Sequence, residues 1–214
     1  MPVILHETPA PELQIGLWQI EEQEAWFAQG LQLSVEEAVQ LASIKGHRRV
    51  EWLAARQLVH QMLGSPQREA LCKDAYGKPH LSQARYHLSI SHSQSMAAAA
   101  LAARPVGIDV QALVPKIEGL ASKYMRAEEL ESVENATRLE HIHAYWGAKE
   151  ALYKAFGRRG LDFCAHIHVT PFSYQASGGT FEAKIIKDGC LGVFLGRYAL
   201  AQGYMLVHAL EKTD

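Results

Sequence analysis

The sequence is poor in cysteine: Cys72, Cys164 and Cys190 are scattered through 214 residues and form no C-x-x-C pair. Disulfide frameworks and thiolate zinc clusters need more cysteines at closer spacing. The three therefore read as structural thiols in a reducing compartment, and a cytoplasmic protein is expected. Long apolar runs are missing too. The longest small-apolar stretch, Met96 to Ala103, falls well short of the ~18 residues a membrane span requires. The opening MPVILHETPAPE lacks the basic flank and cleavage signal of a secretory peptide. Nor is there an excess of one charge. With 21 basic and 23 acidic side chains the net charge is −2, which argues against a general nucleic-acid binder, so any anion site has to be assembled locally. What remains is an ordinary globular composition, 48% hydrophobic and 21% charged, long enough for one large domain or two lobes.

After an N-terminal arm with prolines at 2, 9 and 11, ILHE and IGLWQI read as short strands. Ser34-Val35-Glu36-Glu37 has the spacing of a capping box and predicts a helix behind it. Lys45-Gly46-His47 reads as a break before a second helix, from about Arg48 to Leu63. Gly64 should stop that helix, and Pro66 is placed to start a short helical turn. LCKDAYGKPHL predicts a strand pair turning at Tyr76-Gly77-Lys78-Pro79, and the alternation from Tyr86 to Ser91 a half-buried strand. Met96–Ala102 and Val106–Val110 read as fully buried strands, completing one lobe over 1–104 and opening a second over 105–214. In the second lobe helices are expected around 119–134. A long helix over 137–156 follows, opened by the capping-box sequence Thr137-Arg138-Leu139-Glu140 and closed at Phe156-Gly157. Strands at about 166–169, 180–187, 191–199 and 204–211 finish the chain, the middle pair turning at Lys187-Asp188-Gly189.

Helix 137–156 carries the chemistry-bearing residues. At 100° per residue Leu139, Ile142, Trp146, Tyr153 and Phe156 share one side, and Glu140, His143, Gly147, Glu150 and Lys154 the other. The second stripe is either a solvated face with a Glu150–Lys154 pair, or a functional one. Gly147 costs roughly 1 kcal/mol against alanine inside a helix, so something is expected to approach the backbone there. Lys149 points to the apolar side, where a lysine must snorkel or meet an anion.

Elsewhere, Val106-Gly107-Ile108-Asp109-Val110 is an apolar strand broken by one carboxylate. Such a group needs a divalent cation, a basic partner or a turn to cap. Ser91-His92-Ser93 suits an anion cradle or a plain loop, and no G-x-S-x-G elbow supports a serine hydrolase. Lys78 sits in a turn made rigid by Pro79. Arg48, Arg49 and Arg56 cluster on the second helix, the last two seven apart and so on one face, a geometry that suits a phosphate. His141 and His143 diverge on a helix and cannot chelate together. His166 and His168 share a strand face but lack further ligands at zinc spacing.

Read in order, YGKP, SISHS, VGIDV and WGAKEALYK resemble the motifs of the 4′-phosphopantetheinyl transferase superfamily, in its larger, surfactin-synthetase-activating form. The motifs span residues 76–154, with the arginine-bearing helix extending the match upstream. The resemblance implies an α+β monomer of two similar lobes, each a small, mainly antiparallel sheet on helices, related by a pseudo-twofold with the active site in the cleft. It implies an enzyme of the holo-acyl-carrier-protein synthase type, which moves phosphopantetheine from coenzyme A to a carrier-protein serine and releases adenosine 3′,5′-bisphosphate. By position, Asp109 and Glu150 would hold Mg²⁺ and Lys154 would contact a phosphate. His92 would bind phosphate oxygens with Ser91 beside it. Lys78 and Pro79 would meet the nucleotide end, and Arg49 and Arg56 are candidates for the 3′-phosphate.

Many relatives carry a second acid two residues after the aspartate, where this chain has Gln111. An amide oxygen can ligate Mg²⁺ or hold a water ligand but adds no charge, so a site with two carboxylates and more water is expected. The partners implied are coenzyme A and an apo acyl or peptidyl carrier protein, acidic in this family, with neither nucleic acid nor membrane. Lys116, Lys123, Arg126, Arg158 and Arg159 offer charge to such a carrier, and Leu113, Val114 and Ile117 an apolar edge. Two other readings stay open: a catalytically silent coenzyme A-binding protein, and a metal-dependent phosphohydrolase of coenzyme A.

Overall fold

Two sheets, each with a long helix against it, account for much of what a computed structural model describes, residues 3–83 and 85–213. The chain divides into two compact units, Met1–Arg104 and Pro105–Asp214. Pro2 lies outside the described residues, and so does the side chain of Cys190; Cys72 and Cys164 are free thiols. No helix among the described residues is long and apolar enough to cross a membrane.

The first unit opens with β1 (Val3–Ala10) and β2 (Leu13–Gln19), then α1 (Glu24–Gly30), α2 (Val35–Ser43) and α3 (Arg48–Leu63). The short β3 (Leu71–Lys73) and β4 (Pro79–Leu81) pair with each other, and β5 (His87–Ser93) and β6 (Met96–Ala102) finish the unit. The sheet is antiparallel in the order β1-β2-β6-β5. Ser34 caps α2 as its spacing predicts: its hydroxyl accepts from the Glu37 N–H at 3.2 Å, and Glu37 accepts from the Ser34 N–H at 3.1 Å. Gly64, at φ +61°, turns the chain out of α3. Pro66 starts no helical turn; the chain there is a bend. Helix α1 has no cap signal, because Gln23 makes no side-chain capping bond. Tertiary packing holds it instead, with Phe27 buried against Trp18 at 5.9 Å between ring centres.

In the second unit β7 (Val106–Ala112) leads through a 3-10 stretch (Pro115–Lys123) into α4 (Ala127–Glu131) and the long α5 (Arg138–Phe156). Then come β8 (Ile167–Val169), β9 (Gly179–Lys187), β10 (Cys190–Ala201) and β11 (Tyr204–Glu211). The sheet is antiparallel throughout, in the order β7-β11-β10-β9-β8. The β9–β10 hairpin turns at Asp188 (φ +51°) and Gly189 (φ +78°), a two-residue turn with both positions left-handed that matches the strand twist. The expected helical region 119–134 is divided: the 3-10 stretch ends at Lys123 and α4 begins at Ala127. The expected capping box at Thr137 does not form. Thr137 makes no side-chain cap, and α5 grows out of the 3-10 turn Asn135–Thr137. Gly157, at φ +70°, ends α5.

Helix α5 is buried on nearly every side, which explains why a two-faced reading of it misleads. One side packs into the core of Tyr145, Ala148, Leu152, Phe181, Phe194 and Tyr198. The stripe through His143 and Gly147 is not solvated: His143 and Gly147 are buried, and a Cβ on Gly147 would lie 2.5 Å from a methyl of Val207 on β11. The approach expected at Gly147 is therefore made by the sheet. Gly107 on β7 is tighter still, since a Cβ there would fall 1.7 Å from the Ala151 carbonyl oxygen of α5. Strand and helix touch backbone to backbone at that point.

Candidate active site

That backbone contact sets the site. Residues alternate across a strand, so Asp109 and Gln111 point to the same side of β7 as Gly107, toward α5. Asp109 is 7% exposed, and its Oδ1 accepts from Lys154 Nζ at 2.7 Å, while the same ammonium donates to the Ile108 carbonyl at 3.0 Å. The cation of α5 thus bridges to β7 rather than forming only a surface pair with Glu150. Burial raises the Glu150 carboxyl above its usual range, the Asp109 charge raises it further, and Lys154 works against both. Asp109, Glu150 and Lys154 thus act on one another electrostatically, with the ammonium seated on Asp109.

This donor set fits a hard divalent cation, for which one or two protein carboxylates with water and substrate phosphate suffice. No group of three or more His, Cys, Asp or Glu side chains at metal spacing occurs among the described residues. Gln111 turns its amide nitrogen to the His143 carbonyl at 3.4 Å. His143 Nε2 in turn accepts from the Val114 N–H at 2.9 Å, and burial lowers its pKa.

The first unit places its expected residues in two kinds of surroundings. Arg49 is spoken for by Glu24, at 2.9 Å from Nε and 2.7 Å from Nη2, and by the Leu41 carbonyl at 2.6 Å. Arg56 is 2% exposed, stacked 3.2 Å from the Trp52 ring centre and paired with Glu37 at 3.2 Å. Burial pulls its pKa down to about 10. Glu37 also binds Arg68 and the Leu71 N–H, so the surroundings of Arg56 are those of a core brace rather than a surface phosphate contact. Lys78 follows a turn built on Asp74, whose Oδ1 accepts from the Tyr76 and Lys78 N–H groups; burial lowers the Lys78 pKa. Pro79 begins β4 opposite Lys73. Ser91 is buried on β5, and His92 Nδ1 lies 2.9 Å from Glu51 Oε2 of α3. Glu51 was missed in the sequence because its partner lies on a strand far along the chain.

The model of the ACPS family, described as the 4′-phosphopantetheinyl transferase superfamily, matches residues 105–201, the stretch that holds Asp109, Glu150 and Lys154. Over that stretch the chain is similar to the 4′-phosphopantetheinyl transferase superfamily. Among curated relatives, a 4′-phosphopantetheinyl transferase of Bacillus pumilus is 29% identical over 63% of this chain and 54% of its own. One of Bacillus subtilis is 26% identical over 65% and 62%, and one of Aneurinibacillus migulanus 29% identical over 50% and 46%. The matches thus span less than two thirds of each relative's own length.

Several side chains that the transferase resemblance suggested for carrier docking are engaged internally. Arg126 bonds to Glu128 at 2.5 Å and to the Cys164 carbonyl at 3.1 Å, and Ile117 is buried in the core; Leu120 is the apolar residue the 3-10 stretch exposes. Lys116, Lys123, Arg158 and Arg159 are exposed. Lys149 does meet an anion, from within: it is fully buried and pairs with buried Glu129 at 2.8 Å and with the Ile167 carbonyl at 2.8 Å. Three of the histidines weighed for zinc have partners within the protein. His141 stacks on Tyr145 at 5.1 Å, His166 Nδ1 accepts from the Asp162 N–H, and His168 lies 3.1 Å from Arg126 Nη1.

Proposed function

We propose that this chain transfers 4′-phosphopantetheine from coenzyme A to a serine hydroxyl of an acyl or peptidyl carrier protein. The observation that carries the reading is the Asp109–Lys154 contact, electrostatically coupled to the Glu150 carboxyl, within the stretch that matches the family. Asp109 and Glu150 would hold Mg²⁺, which when bound supplies positive charge to the pyrophosphate. Lys154 is within reach of the same oxygens and offsets charge growing on the leaving phosphate. The serine oxygen forms a bond to the β-phosphorus as the pyrophosphate P–O bond breaks, and adenosine 3′,5′-bisphosphate leaves. The serine proton passes to Glu150 or to a water beside it. Gln111, where many relatives have an acid, contributes an amide to this set and no charge. His92, with Ser91 beside it, and Lys78 with Pro79 are proposed as contacts to coenzyme A phosphates and nucleotide. Arg49 is a weaker candidate, being held by Glu24. An acidic carrier would meet exposed Lys116 and Lys123 around Leu120.

The test is intact-protein mass spectrometry of an apo carrier protein with this chain, coenzyme A and Mg²⁺, beside a reaction in EDTA. A phosphopantetheine-sized gain that EDTA abolishes is expected, lost also in Glu150→Gln and Asp109→Ala. No gain across several carriers, with coenzyme A still bound, would refute it in favour of a silent binder. Phosphopantetheine released without any carrier would mark a phosphohydrolase.

A further inference from the structure

Glu51 is a buried carboxylate, 7% exposed, and among the described residues its side chain has one partner, the ring of His92. A carboxylate taken from water needs a donor, and a single ring N–H is the least that satisfies it. His47 stands one turn before Glu51 on the same face of the helix start, and its Nε2 lies 2.8 Å from the Gln94 carbonyl in the β5–β6 turn. Two contacts from one face, His47 to Gln94 and Glu51 to His92, therefore fix this hairpin on α3. The first holds the turn. The second reaches the imidazole itself.

We infer that Glu51 is a positioning residue for His92, fixing the proton on Nδ1 and the ring's orientation so that a phosphate oxygen meets the Nε2 edge. The inference rests on the proposed coenzyme A reading. With Nδ1–H donated to Glu51, the ring's other nitrogen points away from the helix. A phosphate can be bound there only by a second N–H, so His92 serves it as an imidazolium between two anions, with Glu51 supplying the balancing charge. Without the Glu51 carboxylate the Nδ1–H loses its acceptor and the imidazolium its balancing charge.

The test is a double-variant cycle on the full chain, with coenzyme A binding read by titration calorimetry. His92→Ala is expected to weaken binding about tenfold or more, as loss of a charge-assisted hydrogen bond should. Glu51→Gln should weaken it about as much, and the two together no more than His92→Ala alone. In turnover, Glu51→Gln should raise KM for coenzyme A and leave kcat and KM for the carrier within about twofold. The ¹⁵N spectrum of the imidazole should show the His92 proton leaving Nδ1, which a purely structural role would not cause. Glu51→Asp keeps the charge on a shorter stem and should keep the Nδ1–H signal. It therefore decides the matter even if the glutamine variant folds poorly. If His92→Ala leaves coenzyme A affinity intact, the phosphate role of His92 fails. If it weakens binding while Glu51→Gln is silent or fully additive, the positioning role fails and the coenzyme A reading stands.

Discussion

Gly107→Ala is the sharpest single perturbation of the site, because it changes no functional group. The added methyl would sit 1.7 Å from the Ala151 carbonyl oxygen, 2.6 Å from its carbon and 2.9 Å from the Ala155 nitrogen. Ordinary contact begins at 3.4 Å, so strand and helix must separate by about 1.7 Å locally. The obstruction is helix backbone, with no flexible side-chain end to swing aside. Overpacking usually costs about 1–3 kcal/mol, and this case belongs at the upper end, near 3 kcal/mol. Asp109 lies two residues along the displaced strand and Lys154 one turn along the helix, so their 2.7 Å contact opens with the same movement. A misplacement of ~1 Å at a reacting centre costs about 100-fold, and a loss of that order in kcat/KM is expected. Urea unfolding followed by tryptophan fluorescence reads the first quantity, and initial rates of carrier modification the second. Ala151→Gly should not rescue the variant, since the clash is with the carbonyl and not with a side chain. A stability loss under about 0.5 kcal/mol with kcat/KM within twofold would refute the backbone-contact argument.

Burial lowers His208 on β11 to about 4, with the Arg197 charge adding to it. Between about pH 6.5 and 4 the unfolded chain takes up a proton that the folded one refuses. His208 therefore gives stability that is full above pH 6.5 and falls as pH drops, by on the order of 3 kcal/mol in total. Unfolding midpoints across that range should slope accordingly, and His208→Gln should flatten the slope; an unchanged slope would exclude His208 as its source. Lys149→Met strands Glu129 as a buried, unneutralised charge and should cost about 3–5 kcal/mol in guanidinium unfolding. A loss below about 1 kcal/mol would mean that Glu129 finds another cation.

Elements with a local stop or start were legible in the sequence. The Ser34 box, Gly64 and Gly157 at helix ends, and the Asp188-Gly189 turn all act through backbone groups within a few residues. Elements held by distant partners were not. Helix α1 exists because Phe27 packs on Trp18, and Thr137 fails to cap because a 3-10 turn already delivers the chain into α5. The stripe on α5 shows both limits. Its spacing groups Glu150 with Lys154, but His143 is buried against Val114 and Gly147 against Val207 of β11. The spacing could not show that Lys154 would be claimed by Asp109, nor that Lys149 would meet Glu129. For the same reason Arg49 and Arg56 looked available, while their carboxylates lie on α1 and α2.

The strand order of the second unit also bears on how the site is made. β9, β10 and β11 are joined by two-residue turns at Asp188-Gly189 and Gln202-Gly203, so their pairing is local and closes quickly. β7 is first in the unit's sequence, yet among the described residues its ladder in the sheet is with β11, at the other end of the unit. That pairing must close the longest loop of the sheet and pay the largest chain entropy. The strand that bears Asp109 is thus tied to the sheet by its most distant pairing in sequence, so loop closure weighs most on the strand that carries the carboxylate.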